Sequence, residues 1–218
     1  MSAEPKFGLF VPLTAKPEQS QATHDFLLKG YEIVEATEPE TLQWFAVKLS
    51  DSDAKYIIFD TSAAESGRQT HLEGQVAAAL MGNKDTLLVP GEEGVNIRFV
   101  DILASKVNKP AGGAGLNKGL QFGLTALLKA KESQVDAVKK FLISALDLVN
   151  EETFTPVWYA IQFAGSNEFA IVDFFENEEG REKHLGGKVA SALLSTSAAE
   201  LLDGSPNISK ITTLAAKV

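Results

Sequence analysis

The 218-residue chain contains no cysteine, which excludes disulfides, thiolate metal sites and cysteine nucleophiles. The absence also fits a reducing compartment, so a cytoplasmic protein is expected. Only three histidines are present. With no cysteine beside them, a transition-metal site is not expected. No apolar run approaches the roughly 20 residues a membrane helix needs. The opening MSAEPKFGLF lacks a basic segment followed by a long apolar one, so no signal peptide is expected. No GxGxxG opens a helix after a strand, and there is no Walker loop and no HExxH. Positive charge is scarce too. Lys and Arg number 20 against 29 Asp and Glu, a net charge of −9, which argues against nucleic acid or an anionic membrane as the partner. Hydrophobic residues make up 44% and charged residues 22%, an ordinary globular balance, and the length suffices for one large domain or two small ones.

What the chain does have is self-similarity. GRQTHLEGQVAAAL at 67–80 returns as GREKHLGGKVASAL at 180–193, an offset of 113. FGLFVPLTAK at 7–16 matches FGLTALLKAK at 122–131, WFAVKL at 44–49 matches WYAIQF at 158–163, and YIIFD at 56–60 matches FAIVD at 169–173. ASKV at 104–107 matches AAKV at 215–218. The order is kept and the offset drifts only from 115 to 111, as duplication with small loop deletions would leave it. NKPAGGAGLNKG at 108–119 reads as a flexible connector. The expected organisation is a first repeat over 1–108, a Gly-rich linker over 109–118 and a second repeat over 119–218.

Each half shows the same periodicities. A short apolar strand at 6–14 precedes a helix at 18–36 that carries Phe26, Leu27, Tyr31, Ile33 and Val34 at helical spacing. Strands at 41–49 and 54–61 flank the turn SDSD, a helix covers 65–81, and a last strand covers 95–106. The second half gives strand 119–130, helix 132–151, strands 155–164 and 168–175, helix 178–194 and strand 207–217. This is the ferredoxin-like β-α-β-β-α-β unit twice, an α+β class. Helices cover one face of such a sheet, so the other face needs a partner, and the second repeat can supply it sheet to sheet. Phe45, Val47 and Leu49 suit that inner face, while Trp44 and Ala46 would face the helices.

With this topology, EPETLQWFAVKL at its second strand, YIIFD and FAIVD at its third, and a His-bearing helix in GRQTHL and GREKHL, the chain resembles the dimeric α+β barrel superfamily. It is most similar to the antibiotic-biosynthesis-monooxygenase-like group, here in tandem within one chain. The resemblance implies an intramolecular pseudo-dimer, with further dimerisation optional. Some members oxidise phenols or quinols without metal or organic cofactor, and relatives degrade haem.

His71 and His184 are the candidate catalytic residues. On a continuous helix, Gly67, His71, Gly74 and Ala78 form one stripe, matched by Gly180, His184, Gly187 and Ser191. Glycine inside a helix costs about 1 kcal/mol relative to alanine, so something is expected to approach this face closely. A neutral imidazole could act as base for a phenol or enol, or hydrogen-bond a carbonyl beside a tight helix contact. Trp44 and Trp158 could stack on an aromatic substrate and donate to a nascent oxyanion, or sit in the core. Arg68 and Arg181, three residues before each His, could hold an anionic ligand group or form surface salt bridges. Asp60 and Asp173, one per half, could orient a His.

Two functions are expected from these residues. One is a cofactor-independent monooxygenase acting on a small aromatic phenol or quinol. The other is a non-catalytic barrel that binds a small molecule or a partner protein. Haem binding is a third.

Overall fold

A computed structural model describes residues 3–111 and 113–218. The first two residues, and Gly112 within the sequence-assigned connector, lie outside the described residues. The first half runs β1 (Phe7–Thr14), α1 (Ser20–Thr37), β2 (Thr41–Leu49), β3 (Lys55–Ser62), α2 (Glu65–Leu72), α3 (Gln75–Leu87) and β4 (Arg98–Val107). The second runs β5 (Phe122–Lys129), α4 (Val135–Glu151), β6 (Val157–Phe163), β7 (Glu168–Phe175), α5 (Glu178–Leu185), α6 (Lys188–Leu193), α7 (Thr196–Leu201) and β8 (Asn207–Lys217). The strands close into an eight-stranded barrel in the order β1-β3-β2-β8-β5-β7-β6-β4, the α+β barrel expected from the sequence. Among the described residues no helix is long and apolar enough to cross a membrane.

Local sequence explains each element. Pro17 opens a short 3-10 turn, where its missing N–H costs nothing, and α1 continues from it. α1 buries Thr23, Leu27, Gly30, Tyr31 and Val34, a single helical stripe. α4 buries Val138, Leu142, Ala145 and Val149 in the same way. β3 is the inner strand of its hairpin. It pairs antiparallel with β1, Leu9 opposite Asp60, and with β2, Trp44 opposite Asp60. β7 repeats the pattern with Leu124 and Trp158 opposite Asp173. β1 needs glycine at position 8, because a Cβ there would lie 2.2 Å from the Asp60 carbonyl oxygen.

The second helix of each half differs from the single helices expected over 65–81 and 178–194. It breaks after Leu72 and after Leu185, and a further break after Leu193 separates α6 from α7. Gly74 and Gly187 are therefore not helix-interior residues. Each is the N-cap of the next helix, with extended backbone. A Cβ on Gly74 would lie 2.8 Å from Glu38 Oε1, and one on Gly187 would lie 3.1 Å from Glu152 Oε1. What approaches closely is a carboxylate.

Packing divides the chain into two compact units. One comprises 1–100, 114–118 and 212–218, the other 101–113 and 119–211. In the first, Trp44, Ala46, Leu27, Val34, Val76 and Leu80 form the core between strands and helices. In the second, Trp158, Ala160, Leu142, Val149, Val189 and Leu193 do the same. Burying each large side chain contributes roughly 1.5–3 kcal/mol.

The helices that carry the histidines are capped differently. Asn177 caps α5, its side chain accepting from Gly180 N at 2.9 Å, whereas Ala64 at the matching place before α2 has no side chain to offer. Both positions have extended backbone. Ala64→Asn should therefore stabilise the protein by about 0.5–1 kcal/mol in denaturant unfolding.

Candidate active site

The site is assembled in each half from the end of one helix, the turn into the next strand, the central strand and a second helix. α1 ends at Glu38, whose backbone N–H closes the helix on Val34 O, and the chain turns at once into β2 through Thr41. β3 carries Asp60 on the face towards the helices, and α2 carries His71. All four side chains are buried: Glu38 is 7% exposed, Thr41 2%, Asp60 2% and His71 6%.

His71 Nδ1 donates to Glu38 Oε2, and Thr41 Oγ1 donates to the same oxygen at 3.0 Å. On the other side of the ring, Nε2 faces Asp60 Oδ2 at 3.4 Å, within ion-pair range. Asp60 Oδ1 accepts from Leu9 N at 3.2 Å. The second half repeats the arrangement. His184 Nδ1 donates to Glu152 Oε2 at 2.6 Å, Thr155 Oγ1 donates to that oxygen at 2.6 Å, and His184 Nε2 faces Asp173 Oδ2 at 3.3 Å.

An imidazole between two carboxylates has both nitrogens engaged and is stabilised in its protonated form. Burial opposes the charge on His71, but Glu38 and Asp60 outweigh it and raise the pKa. At His184 burial again opposes, and Asp173 and Glu152 raise the pKa to about 10. Burial would raise Glu38, but the His71 and Thr41 hydrogen bonds hold it below its usual value. Asp60 goes the other way. Burial pushes it up to about 6, with the His71 charge and the Leu9 N–H pulling against that. The neutral histidine base expected from the sequence is disfavoured at both sites: the carboxylates favour the protonated ring, and His184 stays protonated at neutral pH. The group whose pKa is poised to accept a proton is Asp60.

Asp60 and His71 also line a cavity of about 30 Å³, whose other walls are Leu9, Val11, Ile58, Leu72, Val76, Ala77, Leu80 and Ile97. Ile97 and the neighbouring Met81 border an open groove of about 440 Å³ at the surface. In the second half the ring of Phe175 lies 5.4 Å from that of His184, where the first half has Ser62.

The other candidates lie elsewhere. Trp44 and Trp158 are fully buried in the two cores. Neither indole N–H has a hydrogen-bond partner among the described residues, and Trp44 does not line the His71 cavity. Arg68 is 6% exposed and ties α2 to β4, donating to Val100 O at 3.2 Å and to Glu65 at 2.5 Å while stacking on Phe99 at 4.6 Å. Arg181 likewise donates to Ile211 O at 3.3 Å and Glu178 at 2.5 Å, over the Phe122 ring at 5.1 Å. His24 is half-buried on α1.

Glu38 and Glu152 were not among the residues singled out in the sequence, nor were Thr41 and Thr155. A signal existed: Glu-x-x-Thr stands at 38–41 and at 152–155, three residues before each Trp, at a constant offset of 114.

No protein-family model matches the chain, and no curated protein matches it. Solved structures do. A candidate monooxygenase from Fusobacterium nucleatum subsp. nucleatum superposes with a TM-score of 0.83 over 100% of this chain and 95% of its own, at 12% identity. One from Lactobacillus acidophilus gives 0.74 over 99% and 97%, at 11% identity. A ferredoxin-fold protein related to antibiotic biosynthesis monooxygenases, from Listeria monocytogenes, gives 0.53 over 97% and 96%, at 9% identity. At such identities the likeness is one of fold, matched along the whole chain and through the closed barrel. The protein has the dimeric α+β barrel fold, and its structural neighbours are monooxygenase-like proteins of that fold.

Proposed function

We propose that the first half carries a working site for cofactor-independent oxidation of a small phenol or quinol by dioxygen, in a cytoplasmic, tandemly duplicated protein. The observation that carries this reading is the cavity in which Asp60 and His71 are the only polar walls. A carboxyl raised to about 6 by burial is a suitable general base near neutral pH. It takes the phenolic proton. His71, whose protonated form Glu38 and Asp60 favour, offsets the negative charge that the proton transfer leaves on the substrate. The electron-rich anion then reduces dioxygen. In a phenol-to-quinone conversion one oxygen atom enters the product and the other leaves as water, with the substrate supplying all the electrons. A cavity of about 30 Å³ is smaller than an aromatic ring, so admission requires α3, which carries Val76, Ala77 and Leu80, to move away from the sheet. His71 supports the base rather than acting as one, and Trp44, Arg68 and their counterparts maintain the frame.

Oxygen uptake with a panel of dihydroxy-aromatics tests this. Uptake is expected with at least one compound, falling about a hundredfold in Asp60→Asn, with Asp173→Asn close to the parent. No uptake across the panel, or full uptake in Asp60→Asn, would sink the assignment.

A second reading, a barrel that binds a small molecule without turnover, is favoured by the near-identical network in the second half, where Phe175 crowds His184. Calorimetric binding without oxygen uptake would support it. Haem does not fit: both nitrogens of His71 and of His184 face carboxylates, and the cavity beside His71 is far smaller than a macrocycle.

A further inference from the structure

Two lysines lie under the networks without touching either histidine. Lys217 Nζ donates to Glu38 O at 2.7 Å and to Val34 O at 3.4 Å. Lys106 Nζ donates to Glu152 O at 2.7 Å and to Val149 O at 2.8 Å. Each ammonium thus sits at the C-terminus of the helix that delivers the carboxylate, where carbonyls lack intrahelical partners and carry partial negative charge. Lys106 is only 9% exposed. Burying an ammonium is costly unless its hydrogen bonds are met, so this is not a casual surface contact. The two lysines belong to the matching ends of β4 and β8, ASKV and AAKV. In each case the donor comes from one half of the sequence and the helix from the other. Lys217 falls in the first compact unit and Lys106 in the second.

We propose that Lys217 and Lys106 are positioning residues, each supplied by the last strand of one half to seat the glutamate that holds the histidine of the other half. The physical reason lies in the residue whose carbonyl is bound. Glu38 and Glu152 are the helix C-caps, outside regular helical conformation. Pinning the carbonyl of a cap residue fixes its Cα–Cβ direction. That direction must be right, because the Glu38 carboxylate has to reach His71 across Gly74, and Glu152 has to reach His184 across Gly187, with little room to spare. Neither histidine network is complete within its own half. This holds whether or not the site oxidises a phenol.

The test follows the histidine titrations by imidazole nitrogen NMR on the full chain, with His24 as internal control. His71 faces Glu38 from α1 and Asp60 from β3, with Lys217 from β8 beyond Glu38. His184 faces Glu152 from α4 and Asp173 from β7, with Lys106 from β4 beyond Glu152. Lys217→Met removes a cation whose charge alone depresses His71, so a purely electrostatic role predicts that His71 titrates higher in the variant. A positioning role predicts the reverse. The displaced carboxylate releases His71, which falls by about one pH unit, while His184 stays unchanged and Lys217→Arg restores the parent titration. Lys106→Met should lower His184 and leave His71 alone. A rise or no change at His71 in Lys217→Met, or an equal fall at both histidines, overturns the proposal. Lys217 is half-buried at the end of β8, so its variants decide the matter even if Lys106→Met does not fold.

Discussion

His71→Ala is expected to destabilise the protein by about 3–5 kcal/mol in denaturant unfolding near pH 8. The ring is nearly fully buried between Glu38 and Asp60, and the change leaves both carboxylates in place without the imidazole that pairs with them. Removing one partner of a buried ionic group costs more than the group contributed, because an uncompensated charge stays behind. The variant can recover only by protonating a carboxyl. Its deficit should therefore shrink as the pH falls to about 5, where Asp60 or Glu38 takes up a proton. A change in a merely apolar core residue would cost the same at both pH values. Equal losses at pH 5 and 8, or a loss below about 1 kcal/mol, would show that the network does not hold its charge as described.

The parent protein should weaken steadily towards alkaline pH. An imidazole whose folded pKa exceeds its ordinary 6.5 binds its proton more tightly in the native state. Its stabilisation is complete below pH 6.5 and is lost as the pH rises through the folded value, about 10 for His184. His71 adds to this in the same direction. The carboxyls act lower on the scale. Glu38, held below 4.5, contributes stability that is lost as the pH falls through its depressed value. Asp60 favours its protonated form, so it subtracts stability as the pH rises from 3.8 to about 6. Above pH 6.5 the imidazolium of His184 makes the largest change, and burial of the Lys106 ammonium, which lowers its pKa, opposes it only in part. A decline on the order of 4 kcal/mol between about pH 6.5 and 10 is expected, a fall in Tm of about 10 °C for a chain of this size. Thermal unfolding by circular dichroism across that range measures it. Glu152→Gln should be less stable at pH 7 and flatter thereafter. A Tm independent of pH up to 9.5 would contradict a buried imidazolium.

The fold was legible because its signals are repeated and periodic. The stripe of Leu27, Tyr31 and Val34 reads as a helix, and the alternation through Trp44 and Phe45 places one on each side of a strand. The break after Leu72 was not legible. GRQTHLEGQVAAAL has no proline, and its glycine is as readily read inside a helix as at a cap. The choice is made by the Glu38 carboxylate, a group distant in sequence that fills the space a side chain on Gly74 would need. The site was half legible for the same reason. His71 and Asp60 stand in duplicated segments and draw attention. Glu38 stands in TEPET, a stretch that looks like any acidic turn until Glu152 and Thr155 are set beside it. What a turn residue does once folded depends on which helix packs over it, and no local pattern encodes that. From the sequence Arg68 and Arg181 could hold an anionic ligand group or form surface salt bridges, and neither reading supplies their packing. The phenylalanines and strand carbonyls that enclose them come from strands distant in sequence.

The division of the second helix at Gly74 separates the residue held by the ion pairs from much of the cavity wall beside it. His71 is anchored on α2, which Arg68 fastens to β4 and Glu38 fastens to α1. Three of the apolar residues that line the cavity, Val76, Ala77 and Leu80, are on α3. Substitutions on α3 can thus reshape the cavity without disturbing the ion pairs that hold His71.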